Sequence, residues 1–161
     1  MTLSAWATAV HESGHAVIGR VLRLPCGMAT IVPNEDEQTA GVSITHDQWA
    51  TADHWEGIGI FHRDMDVAYR ARIMTFMAGA EAEKALLGSC YGGDDDDQHQ
   101  VALMAEEWVR HAEDWQRWHD RLRRQTARLV RRHRDTIECM AKALMERQTL
   151  TPDEIDALVH T

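Results

Sequence analysis

Cysteine is scarce and unpaired in this chain. Cys26, Cys90 and Cys139 are odd in number and have no paired spacing, which excludes a disulfide framework and a four-cysteine zinc site and fits a reducing compartment. Long apolar runs are missing as well, since no stretch approaches the roughly 18 uncharged apolar residues that a membrane span needs. The opening MTLSAWATAV has no basic segment ahead of its short apolar stretch, so the expectation is a cytoplasmic protein without a membrane span. Internal repeats and low-complexity linkers are also lacking. The strong breakers fall at joints: LPCG at 24–27, Pro33, YGG at 91–93 and Pro152. A single domain over 1–161 follows, because 161 residues with 44% hydrophobic content can bury a core without crosslinks.

The formal charge is −9, which opposes a general affinity for nucleic acid. The charge is unevenly spread. Asp94 to Asp97 form an acidic run, whereas Arg117, Arg121, Arg123, Arg124, Arg128, Arg131, Arg132 and Arg134 crowd one later segment. These arginines are read as spread around their helix, a solvated face rather than an interface for RNA or an acidic partner.

The periodicities predict a mainly α (α+β) fold with one small β-ribbon. From about Leu3 to Leu22, Val10, Gly14, Val17 and Val21 share one helical stripe, while His11, His15, Ile18 and Leu22 share the next, so this helix should be mostly buried. Met28–Val32 and Gly41–Thr45 read as two strands joined by the polar loop Asn34 to Thr39. A second long helix runs from about Asp64 to Leu87, with Gly88 as its C-cap. Asp94 or Asp95 caps a third, in which Asp97, Val101, Met104 and Trp108 lie on one stripe. A fourth, from about Asp114 to Arg147, is long or broken once. Thr151, Pro152 and Asp153 open a short final helix.

The run HESGH at 11–15 carries the chemistry. Two histidines at i and i+4 lie about 40° apart around a helix and one turn apart along it, so both imidazoles can reach one ion. Neutral imidazole is a good zinc donor, and a glutamate after the first ligand can place its carboxylate beside water at the metal. His11 and His15 are therefore the expected zinc ligands and Glu12 the expected general base. With ten histidines and twelve glutamates in 161 residues, chance supplies about 0.05 such motifs. Burying these three groups without partners would also be costly. A catalytic zinc takes a third protein ligand. The metzincin pattern does not supply it, because Ile18 and Val21 stand where that pattern has Gly and His.

Beyond the motif, most of the chain resembles the peptidase domain of the FtsH-type, AAA-linked membrane metalloproteases. AVHESGHAV at 9–17 looks like that family's zinc helix, and ATIVPNEDEQTAGVSIT at 29–45 like its strand pair. MAGAEAEKALLG at 77–88 is similar to its glycine and Ala-Glu helix, and ALMERQTLTPDEIDALV at 143–159 resembles its closing segment. The resemblance implies a zincin-like helical peptidase domain acting on peptide or unfolded protein. It also implies a third zinc ligand, an aspartate at the start of a helix, which aligns with Asp97. Asp94 and Asp96 are the alternatives within the run. The sequence carries no phosphate-binding loop and no membrane segment of the kind the family has, so the resemblance covers the peptidase domain alone. Homo-oligomerisation is compatible with it, but the family's hexamer is not carried over. The rival reading is a non-catalytic zinc-binding interaction module on the same fold.

Several further residues are weighed. Glu83 lies on the apolar stripe of its helix, either as an acceptor orienting a zinc histidine or, the preferred reading, as the partner of an arginine. The strand Met28–Val32 could bind substrate if its outer edge is free, or simply cover the core. Gly14, mid-helix, suggests close packing against another element. Trp108, Trp115 and Trp118 are expected in a core or helix interface. His46, His54, His62, His99, His111, His119, His133 and His160 have no paired metal spacing.

Overall fold

The computed structural model describes residues 5–34, 40–61, 65–91 and 94–160. The expected helix starts near Leu3 and Asp64, loop residues 35–39, His62 and the two glycines of YGG lie outside them.

The described residues form seven helices and three short strands. Helix α1, Ala5–Val21, is buried continuously from Ala7 to Gly19, as a helix apolar on more than one face must be. It ends in a Schellman turn: Leu24 N–H bonds to the Gly19 carbonyl and Arg23 N–H to that of Arg20, with Arg23 in the left-handed conformation at φ 59. Strand β1, Cys26–Thr30, and β2, Val42–Thr45, then pair antiparallel, with Ala29 opposite Ser43.

Helix α2, Gln48–Gly57, was not foreseen. It has almost no amphipathic pattern, and its start is set by the Asp47 side chain, which accepts the Ala50 N–H. Trp55 anchors it, buried with its indole N–H on the Arg23 carbonyl. Helix α3, Asp66–Leu87, closes on Gly88 at φ 85, as expected. Its backbone approaches α1 very closely, since a Cβ at Gly14 would lie 2.6 Å from the Ala78 carbonyl oxygen and 2.8 Å from the Ala82 Cβ. That contact explains the mid-helix glycine, whose propensity cost is about 1 kcal/mol relative to alanine.

Helix α4 spans Asp95–Trp108. The long fourth helix is indeed broken once, into α5, Ala112–Arg132, and α6, Arg134–Arg147, with His133 at the joint. After α6, Gln148 takes φ 66 and turns the chain so that β3, Thr149–Leu150, pairs with β1. The sheet order is β2-β1-β3. The expected two-stranded ribbon is therefore a three-stranded sheet with β1 in its centre, and at Ala29 and Thr30 both edges of β1 are occupied. This corrects the suggestion that Met28–Val32 offers a free edge. A two-residue strand has no periodicity to read, and only the turn at Gln148 brings it alongside. Helix α7, Pro152–Val159, carries a full capping box between Thr151 and Glu154.

Two apolar clusters flank the α1–α3 pair. One joins Val10, Val17 and Ile18 of α1 to Ile137, Met140 and Leu144 of α6 and to Ile155 of α7. The other gathers Ile73 and Met77 of α3, Val101 and Met104 of α4 and Leu122 of α5, with Trp108, Trp115 and Trp118 packed against them. The tryptophans thus have the packing role expected of them. No described helix is long and apolar enough to cross a membrane.

Candidate metal centre

The α1–α3 contact presents His11 and His15 towards the start of α4. There His11 Nε2 and His15 Nε2 lie 2.9 and 3.0 Å from the same oxygen, Asp97 Oδ2. Of the four consecutive aspartates, Asp97 alone turns inward to them. Asp95 and Asp96 are exposed, and the Asp94 carboxylate accepts a hydrogen bond from the Gln98 amide. The inward stripe of Asp97, Val101 and Met104 is what selects it. Among the described residues, His11, His15 and Asp97 are the one group of three or more His, Cys, Asp or Glu donors close enough to share an ion.

The outer ring nitrogens are engaged too. His15 Nδ1 lies 2.7 Å from the Thr75 carbonyl oxygen, which can only accept, so Nδ1 carries the proton. His11 Nδ1 lies 2.6 Å from Glu83 Oε1, and the second oxygen of Glu83 accepts the Tyr91 N–H. Glu83 is fully buried, and its partners are this imidazole and this backbone amide rather than the arginine favoured from the sequence. The reason is positional: Arg123, the arginine that α5 turns towards α3, pairs with Glu81 instead.

With both Nδ1 atoms donating outward, the neutral rings direct two Nε2 lone pairs at a carboxylate oxygen. Three acceptors converge there, an arrangement that only protons or a cation can stabilise. The backbone also leaves room. A Cβ at Gly79 would lie 2.5 Å from His11 Nε2 and 2.6 Å from His15 Nε2, so glycine is what permits α3 to run past the two imidazoles. The donor set, two histidines and a carboxylate with outer-shell acceptors, is the kind that zinc takes.

Protons fill this role when no cation does. Burial pushes His11 down, but hydrogen bonds to Asp97 and Glu83 and the charge of Glu12 outweigh it and lift the ring from 6.5 to about 10. Burial likewise opposes charge on His15, which Asp97 nevertheless raises. Burial also acts against ionised Asp97, and the two imidazoles hold it below the usual carboxylate range. Because the folded pKa of His11 exceeds the unfolded one, its stabilising contribution is complete below about pH 6.5 and is lost as pH rises through about 10. The metal-free protein should therefore lose thermal stability from this group over that window. Over the same window zinc affinity should climb, because the ion displaces bound protons. Unfolding scans of chelated and zinc-loaded protein at several pH values would show the two trends diverging.

Glu12 follows His11 on α1 and is buried beside the cluster. Burial raises its carboxyl above the usual range, the two imidazoles acting against that and Asp97 and Glu83 with it. It lines a cleft of about 260 Å³ together with His11, His15, Asp97, Gly41 and the β2 residues Val42, Ser43 and Thr45. Gly41 approaches it so closely that a Cβ there would sit 3.0 Å from Glu12 Cγ. Sequence reasoning missed Gly79, the Thr75 carbonyl and the β2 wall. Only Gly79, another mid-helix glycine like Gly14, left a signal. None of the histidines outside HESGH that the structure describes joins a metal-capable group.

No protein-family model and no curated protein matches this chain. The weight therefore falls on the site's own geometry. Its outer shell gives a direct test: Glu83→Ala should lower zinc affinity about 10- to 100-fold, and Glu83→Gln, which keeps an acceptor, should lose less. Competition against a chromophoric chelator measures both.

Proposed function

We propose that this protein is a zinc-dependent metallopeptidase of the FtsH peptidase-domain type, hydrolysing bonds in peptides or unfolded proteins. The observation that carries the reading is the convergence of His11 Nε2, His15 Nε2 and Asp97 Oδ2 with Glu12 beside them in one cleft. His11, His15 and Asp97 would hold the ion. Zinc supplies a Lewis acid that polarises the peptide carbonyl and acidifies water.

The chain's own groups account for the rest. Glu12 takes a proton from the attacking water and delivers it to the departing amine. Glu83 and the Thr75 carbonyl fix the two ring orientations and keep Nδ1 protonated. Strand β2 pairs with β1 on one side and with no described strand on the other, and its residues line the cleft. An extended peptide adding to that edge would pass Glu12, with main-chain hydrogen bonds supplying affinity that is tolerant of sequence.

The test is metal removal and return with an unfolded polypeptide as substrate. Hydrolysis should vanish on chelation, return with one equivalent of zinc, and be lost together with zinc in Asp97→Ala. A fully zinc-loaded protein that cleaves no unfolded polypeptide would instead be an interaction module on this fold.

A further inference from the structure

Helix α5 places Arg117, Arg121, Arg124, Arg128 and Arg131 at successive steps of four, three, four and three residues. At 100° per residue these steps keep all five within a stripe about 80° wide, running roughly 21 Å along the axis. All five are exposed. The expectation that the arginines are spread around the helix is thus corrected for most of the segment. Arg123 is the exception, turned inward to Glu81 at 2.8 Å. The opposite face is the buried one, with Leu122, Thr126 and Val130 fully covered.

Among the described residues, none of the five stripe arginines makes a salt bridge, although the protein carries a formal charge of −9. Asp120, which borders the stripe, accepts a hydrogen bond from Gln116 instead. Like charges three and four residues apart destabilise a helix. The free protein therefore holds a row of mutually repelling guanidinium groups that a bound anion would relieve.

We propose that this stripe is a docking surface for an acidic segment of a partner protein. Guanidinium groups bind carboxylates in a planar, two-pronged geometry, and their spacing of about 4.5–6 Å along the helix is comparable to the repeat of about 6.6 Å between same-face side chains of an extended acidic peptide. Single-stranded nucleic acid is disfavoured because the stripe offers no open aromatic platform: Trp115 and Trp118 pack against the second core, and Arg70 and Arg121 already lie over the Trp118 ring. An inserted membrane contact is disfavoured because no described residue of α5 is an exposed large hydrophobic. No arginine of the stripe lines the metal cleft, so the proposal stands whether or not the peptidase reading does.

The experiment measures anisotropy of a labelled oligoglutamate peptide with the full chain, in parallel with single-stranded RNA of equal charge and vesicles rich in anionic lipid. Oligoglutamate should bind with an affinity that falls as salt rises, and Arg121→Glu combined with Arg124→Glu and Arg128→Glu should weaken it by about tenfold or more. The same three positions changed to Lys should retain part of the binding, since charge is kept and the planar fork is lost. Binding should persist in His11→Ala. Circular dichroism confirms that the exposed substitutions leave the fold intact. Absence of oligoglutamate binding at low salt, equal affinity in the triple Glu variant, or tighter binding of the RNA or the vesicles would each overturn the proposal.

Discussion

Glu12→Gln leaves zinc bound and lowers turnover by about 10²–10⁴-fold, the range expected when a positioned general base is removed. Gln matches Glu in shape and can still hydrogen-bond, so the packing of Glu12 against Gly41 and the three-donor cluster should both survive. What is lost is the ability to take a proton. The decrease should therefore fall on kcat, with KM little changed. Substituting the buried carboxyl by the neutral amide also removes a negative charge that favours protonated His11 and His15. The metal-free variant should accordingly release protons from these rings at lower pH. Zinc content and peptide turnover of the purified variant decide the matter. Wild-type turnover in a zinc-loaded Glu12→Gln protein would show that Glu12 is not the base.

Gly79→Ala should cost zinc affinity on the order of 100-fold or more, the consequence of displacing ligand atoms from a preorganised site. The added Cβ would stand 2.5 Å from His11 Nε2, 2.6 Å from His11 Cε1 and 2.6 Å from His15 Nε2. Side-chain tips can sometimes swing aside, but these rings are tied on their far sides, His11 to Glu83 and His15 to the Thr75 carbonyl. Either those bonds break or α3 shifts from α1, and the second route is resisted by the backbone contact at Gly14. Overpacking of this kind costs about 1–3 kcal/mol of stability. Ala80→Gly is the matched control: it lowers helix propensity by about 1 kcal/mol without placing an atom near the imidazoles. Zinc titration of the two variants separates obstruction of the site from general destabilisation. Unchanged affinity in Gly79→Ala would refute the role of the glycine as the gap through which α3 passes the cluster.

The contrast between Asp97 and Glu83 shows how far local pattern reaches. Asp97 is the position the resemblance implies, and helical periodicity agrees by putting it on a stripe with Val101 and Met104, which are buried. Glu83 was also on an apolar stripe, yet its partner was misjudged. Periodicity says that a side chain faces inward but not what waits there, and Glu83 meets an imidazole 72 residues away. Arginine is a common partner of a buried carboxylate, but Arg123 reaches Glu81, two residues earlier on α3. Helix α2 was missed for a different reason. Its face is not distinctly apolar, and a single buried tryptophan with the Asp47 cap holds it.

By itself, the sequence determined the long helices, the Gly88 and Thr151 caps, and the i, i+4 pairing of His11 and His15 around Glu12. These depend on interactions within a few residues, where spacing and residue type suffice. Tertiary structure alone decided that β1 is central and β2 the outer strand, that Gly79 makes room for the imidazoles, and that Glu83 and Thr75 hold them. Each of these is a contact between segments far apart in the chain, and it exists only once α1 and α3 have packed at Gly14.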